Sequence, residues 1–439
     1  MRVSVLRSSI IGGMALGLGF LAGCSGSSTP YYPASSSSDL GATMDPARNI
    51  KTNASMAWIA YSGEKYGIDP VQTVYKIADY INTLLPANYP NLTGKGWKVV
   101  WGPALFISPD TRKYDASGKV VSGYAPEQAN LTFVAQSLDA PSSYIVATRG
   151  TVGPNTWEWL NEDLAVDFKS WPTTTKYTAL TKVADIPHVS TATAFALQTV
   201  LNATPPASNP SVHPDLPGVG QTLTQYLSIL AGQNKPISIS FTGHSLGGAI
   251  APALALWFTQ AQGSATILLP STLIPKTSTT DYIAAPNGWD VNSNVAISCV
   301  SFAGATPGDT TFSAYFSSKL GRNYTRIYNT NDIVPRGFNR LTSARGIYAP
   351  LFLNTSTNKT LATLLSVKIA DVNIAQSIGV KYAALTQFNL DTDVPFTFPL
   401  GPPPGTAYPF AQYTSYTTQF VYQHNDAYAN KFGLTSTNP

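Results

Sequence analysis

Apolar and polar residues change period several times along this chain, and each change marks a predicted element. Between about Met44 and Pro86, apolar residues such as Trp58, Ile59, Val74, Ile77 and Ile81 recur at helical spacing, which predicts helices broken at Pro70. Strand-like runs follow at Trp97–Trp101, Leu131–Ala135 and Tyr144–Thr148. Ile237, Ile239 and Phe241 then alternate with small polar residues, as in a half-buried strand, and the alanine- and leucine-rich run after Gly248 predicts a helix. Val295–Val300 reads as a strand with Cys299 buried in it, and Tyr324–Tyr328 as another. There is no internal repeat, and helical patterns alternate with strands. The expected architecture is therefore α/β, a largely parallel sheet covered on both faces. Apolar residues at 361, 364, 365, 369 and 372 predict one more helix, read as a buried cap in preference to a membrane-surface element.

The N-terminus adds an address. A basic head with Arg2 and Arg7, an apolar run from Ile10 to Leu21 and small residues after it predict a secretory signal over residues 1–23, too short for a membrane span. Leu21-Ala-Gly-Cys24 also resembles a bacterial lipobox, which implies cleavage before Cys24 and a lipid on its thiol. Ser25 in the next position points, by the same resemblance, to the outer membrane; plain secretion is the alternative. Residues 24–43, rich in Ser, Gly and Pro, predict a flexible tether, and residues 44–439 a single domain.

Composition narrows the partners. The formal charge is +4, and loss of Arg2 and Arg7 leaves 4 − 2 = +2 with no Lys/Arg cluster, which argues against nucleic acid. Two cysteines, Cys24 and Cys299, build no disulfide framework, so stability must come from a core that 44% hydrophobic residues can supply. No His/Cys/carboxylate cluster has metal-ligand spacing, so neither a catalytic metal nor a cofactor is expected.

Between the 237–241 strand and the following helix lies Gly243-His-Ser245-Leu-Gly247. The pattern arises by chance often enough that context must decide. A Ser with Gly at both second neighbours, at a strand-to-helix turn, has the form of a nucleophile elbow, and the helix N-terminus behind it suits a developing oxyanion. A serine nucleophile needs a base. His188 and His213 precede Ser245 and His244 sits inside the turn, so His424 alone follows it, in the place an α/β-hydrolase order requires. Asp281, Asp290, Asp309, Asp332, Asp371, Asp391 and Asp393 lie between them and no Glu does. Asp332, on the loop after the Tyr324–Tyr328 strand, is the first candidate acid and Asp309 the second.

Five stretches together resemble the class 3 lipase family, an α/β-hydrolase branch. They are Tyr144–Thr151 with its Arg-Gly-Thr end, Trp157–Leu164, Val300–Gly308, Arg326–Arg336 and His424–Tyr428, in the family's order over about 130–430. The resemblance implies a Ser245–Asp332–His424 triad, an oxyanion site at Thr151 and the Leu246 N–H, and a lid with Trp157, Trp159 and Asp163. It further implies a lipid ester as substrate; the membrane is expected as a partner through Cys24, by the lipobox resemblance, with the lid as a second contact. Ala303, Ala305 and Thr306 depart from the family's usual Gly, Pro and Arg. Two segments, about 258–294 and 340–412, are longer than its plain form and are expected to build a cap or to be surface loops. A phospholipase A1, a short-chain esterase and a non-catalytic binding lipoprotein are the rival readings; oligomeric state has no marker in the sequence.

Overall fold

The computed structural model describes residues 45–64, 66–69, 71–152, 168–171, 186–207, 214–233, 235–268, 282–337, 347, 393–397 and 416–435. Two helices, α1 (Ile50–Ile59) and α2 (Gln72–Leu84), lead into a seven-stranded sheet. Its strands are β1 (Trp97–Ile107), β2 (Gln128–Ser137), β3 (Ser143–Thr148), β4 (Ile237–His244), β5 (Val295–Phe302), β6 (Tyr324–Asn329) and β7 (Asp393–Phe396), lying side by side in chain order. β1, β2 and β3 pair antiparallel, and β3 to β7 run parallel. Parallel neighbours require crossovers. These carry α3 (Thr191–Asn202), α4 (Leu223–Ala231), α5 (Leu246–Ala261) and α6 (Thr310–Leu320). The chain closes through α7 (Tyr416–Val421), a π-helical turn over Tyr422–Asp426, and α8 (Ala427–Phe432).

Alternate strand residues meet two separate cores, which is why the central strands are buried on both faces. Tyr144, Val146, Ile239 and Phe241 pack with α3, α4 and α5. Ile145, Ala147, Val300 and Ile327 pack with α1, α2 and Tyr428 of α8. The half-buried character expected of β4 is overturned: Ser240 and Thr242 are buried too. α1 supplies the polar partner that solvent was expected to supply. Asn53 Oδ1 accepts from Ser240 Oγ at 3.0 Å, and Thr242 Oγ1 donates to the carbonyls of Asn53 and Val300 at 3.3 and 2.8 Å. The predicted strand Trp97–Trp101 runs on to Ile107, with register shifts on either side of Trp101 where Gly102-Pro103 interrupts the pattern.

The segment 258–294 does not crown the elbow in its described part. α5 carries the chain about 24 Å from Ser245, and strands Ser264–Leu268 and Tyr282–Trp289 pair beyond its far end, where Trp289 Nε1 donates to the Phe258 carbonyl at 2.8 Å. Of segment 340–412 only residue 347 and β7 with its following residue are described, so its predicted helix at 361–378 lies outside the described residues, as do the signal, Cys24 and the tether.

Candidate active site

The elbow is built by steric necessity. Ser245 sits between β4 and α5 at φ 61° and ψ −125°, a backbone region that costs a non-glycine residue of order 1–3 kcal/mol. The turn is tight enough that a Cβ on Gly243 would lie 2.4 Å from the Gly247 carbonyl, and one on Gly247 would lie 2.2 Å from the Thr148 carbonyl. The Ser245 N–H is tied to the Phe302 carbonyl at 3.0 Å, which fixes the turn against β5.

His424 stands over that serine. Its Nε2 lies 2.7 Å from Ser245 Oγ and its Nδ1 lies 2.8 Å from Asp332 Oδ2. A carboxylate only accepts, so Nδ1 carries the proton and Nε2 is left to accept from the serine hydroxyl. Asp332 is fully buried. Its Oδ1 accepts from the Val334 N–H at 3.0 Å, and its Oδ2 also accepts from the Tyr428 hydroxyl at 3.0 Å. The Asn329 N–H donates to that hydroxyl at 2.8 Å, which orients the phenolic proton towards Asp332. Burial, with the charge on Asp332 second, pushes the Tyr428 phenol well above its ordinary pKa, so it remains a donor. Tyr428 was visible in the sequence only as the end of the His424 motif, with no role attached.

His424 is itself held. It lies in the π-helical turn, an irregularity common at functional sites, and Asn329 Nδ2 binds the neighbouring Gln423 through its carbonyl (3.0 Å) and side chain (2.6 Å). Phe420 stacks on the imidazole with ring centres 5.6 Å apart. The His244 side chain crosses to the α1 face, where Nε2 donates to the His424 backbone carbonyl at 2.8 Å and Nδ1 accepts from the Tyr61 hydroxyl at 3.1 Å. Burial, then the neighbouring His424, holds the His244 imidazole well below its ordinary pKa, so it is neutral and has no proton to spare for chemistry. It braces the π turn.

Arg149–Gly150–Thr151 leaves β3 against the elbow. A Cβ on Gly150 would lie 2.9 Å from Ser245 Cβ and 2.4 Å from the His244 carbonyl. The buried Arg149 guanidinium donates to Gln128 Oε1 at 3.1 Å and to the Ala129 carbonyl. Thr151 is half-buried at the mouth of this approach, and the Leu246 N–H opens α5, where helical geometry leaves it without a partner in the helix. Five predicted residues thus cluster: Ser245, Asp332, His424, Leu246 and Thr151. Trp157, Trp159 and Asp163 lie outside the described residues, as does His213. Asp309, the second candidate acid, is engaged elsewhere, with His188 Nδ1 at 3.0 Å and the Phe312 N–H at 2.7 Å as cap of α6. Cys299 is buried on β5 as expected, and no metal-type cluster occurs among the described residues.

A mostly parallel sheet flanked by helices, with an elbow at the end of a central strand, defines an α/β-hydrolase. Residues 145–341 match the family Lipase (class 3), and with the similarity to solved lipases the match makes the protein an enzyme of the serine ester hydrolase type. The crystal structure of M37 lipase is similar at a TM-score of 0.61 and 25% identity, covering 87% of this chain and 92% of that one. Lipase II from Rhizopus niveus and a nonglycosylated lipase from Yarrowia lipolytica are 16% identical, cover 67% and 65% of this chain and 76% and 73% of their own, and reach TM-scores of only 0.32 and 0.35. These two add nothing to the argument. No curated protein sequence matches significantly.

Proposed function

We propose that the protein hydrolyses acylglycerol-type lipid esters through Ser245, His424 and Asp332. The observation that carries this reading is His424 bridging a strained serine at 2.7 Å and a buried carboxylate at 2.8 Å. His424 Nε2 takes the Ser245 proton as Oγ attacks the ester carbonyl carbon. The tetrahedral oxyanion is met by the Leu246 N–H and by Thr151, and collapse releases the alcohol with the proton returned from His424. Water, deprotonated by the same imidazole, then cleaves the acyl-enzyme and frees Ser245. Asp332 holds the tautomer and offsets the imidazolium charge. Loss of one oxyanion donor typically costs on the order of 3 kcal/mol of transition-state stabilisation.

The enzyme is proposed to work at the outer membrane, lipidated at Cys24 and carried on the 24–43 tether. Ser245→Ala is expected to abolish hydrolysis with the thermal transition retained; persistent hydrolysis would remove Ser245 from the mechanism. A rate profile over short to long acyl esters and a phospholipid separates lipase, esterase and phospholipase A1. Mass spectrometry that finds the mature protein without a lipid on Cys24 would defeat the anchor.

A further inference from the structure

Scattered exposed apolar residues are ordinary on a protein surface. Among the described residues of this chain they are not scattered evenly. Five of the seven large exposed ones, Ile68, Val71, Tyr114, Val120 and Val121, gather at one end of the sheet. Ile229 and Val291 stand singly at the other, just ahead of β4 and β5.

Strand pairing places the five. Ile107 faces Gln128, Thr132 faces Thr148 and Thr148 faces Gly243, so segment 108–127 leaves and rejoins the sheet at the end that carries Ser245. Its root is closed by Ser108 N to the Glu127 carbonyl and Glu127 N to Ser108 Oγ, both 2.9 Å. Beyond it, Lys113–Tyr114 and Val120–Ser122 form a two-stranded ribbon with Tyr114 opposite Val120. Asp115 Oδ1 fixes the tip, accepting from the Ser117 and Lys119 amides at 2.9 and 3.0 Å and from Ser117 Oγ at 2.6 Å. Segment 63–71 reaches the same end. Gln128 Nε2 donates to the carbonyls of Gly63, Tyr66 and Gly67, and Gln128 Oε1 accepts from Arg149, whose neighbour Gly150 abuts Ser245.

A two-stranded ribbon has no core of its own, yet this one has a fixed root and tip and presents every strand side chain to solvent. A stable protein partner needs about 800 Å² on each side, more than a five-residue ribbon and a neighbouring turn offer. A lipid surface accepts shallow, separate contacts: Tyr and Val enter the headgroup boundary while Lys reaches the phosphates. Asp110 is paired with Arg112 at 2.5 Å and Asp115 is engaged at the tip, which leaves Lys113 and Lys119 exposed beside the apolar residues. We propose that this rim seats the enzyme on a lipid–water interface with the Ser245 end of the sheet facing it; the proposal rests on the lipid-ester reading.

Every contact described above begins at or beyond Asp45, so the test uses the chain from position 24 with Cys24→Ser, where no lipid anchor contributes. In a Ser245→Ala background, a Tyr114→Ser/Val120→Ser/Val121→Ser variant is expected to bind phosphatidylcholine vesicles at least about tenfold more weakly than the parent. Ile229→Ser/Val291→Ser, at the opposite end, is expected to bind like the parent. With Ser245 intact, both variants should turn over p-nitrophenyl acetate in solution at the parental rate, which shows that they fold. Vesicle binding by the ribbon variant at parental strength, or an equal loss in the opposite-end variant, overturns the proposal. So does a change of oligomeric state in the ribbon variant without loss of vesicle binding, which would make the ribbon a protein contact. If the parent binds vesicles through the rim but cleaves no ester, the lipid-ester reading fails and the rim stands.

Discussion

Tyr428 and Asp426 sit four and two residues from His424, the first bound into the site and the second bearing on stability. Tyr428 links the Asn329 amide to Asp332. Tyr428→Phe keeps the ring but removes the acceptor of the buried Asn329 N–H and one of the three donors to Asp332, at about 1–3 kcal/mol of stability. A loosened carboxylate should lower kcat about tenfold, the equivalent of one such hydrogen bond, with KM little changed. Steady-state kinetics beside a urea melt tests this, and an unchanged kcat would leave Tyr428 a purely structural residue. Asp426 is a different case, because burial pushes its carboxyl from 3.8 up to about 6. The folded state therefore binds this proton more tightly than the unfolded chain. Stability is highest below the unfolded value and falls as pH rises towards about 6, beyond which the loss is complete. Asp426→Asn removes the titration, so it should raise the melting temperature at about pH 8 and leave it unchanged near about pH 3.5. Equal shifts at both pH values would rule out the carboxyl charge as the cause.

At the scale of elements, α1 owes its place to a buried amide. Asn53 Nδ2 donates to the carbonyls of Ala47 and Asn49 at 2.7 and 2.9 Å, while its Oδ1 accepts from Ser240 of β4. Asn53→Ala removes these three bonds, taking the amide away from the buried Ser240 hydroxyl and the Ala47 carbonyl while the Asn49 carbonyl keeps the Asn53 N–H, and is expected to cost about 3 kcal/mol, read from the urea midpoint. A loss below about 1 kcal/mol would mean that water replaces the amide. This contact also marks where the sequence stops being legible. The strand-like runs of β3 and β5, the period-two pattern of β4 and the order Ser245, Asp332, His424 are local or ordinal, so they can be read from the chain. Asn53 meets Ser240 across 187 positions and Tyr428 meets Asp332 across 96, and neither pairing leaves a local pattern. The antiparallel β1 and β2 were equally hidden, because nothing in a strand's own alternation records its direction. The π turn escaped for a related reason, since a helix with a shifted register keeps helical spacing on either side of the shift.

For the whole molecule, the direction of α1 sets a geometric problem. Asp45 accepts from Ser143 Oγ at 2.9 Å at the start of β3, whereas Tyr61, beyond the far end of α1, touches His244. The tether predicted for residues 24–43 therefore enters the body at the end of the sheet opposite Ser245 and the exposed rim. A body of about 395 residues has a radius of gyration of roughly 21 Å, so its two ends lie roughly 50 Å apart. Twenty tether residues span at most about 70 Å when extended and about 25 Å on average. A protein anchored at Cys24 can thus turn its active end towards its own membrane only by drawing the tether out along its flank. If the lipid anchor and the rim are both as proposed, deleting residues 29–38 leaves about ten tether residues with a reach of about 35 Å, too short for that turn. Hydrolysis of esters in the membrane that holds the protein should fall several-fold. Turnover of a soluble short-chain ester, and of lipid ester in separate vesicles, should be unchanged. An undiminished rate in the protein's own membrane would mean that the anchor lies elsewhere or that the Ser245 end of the sheet is not the end that meets lipid.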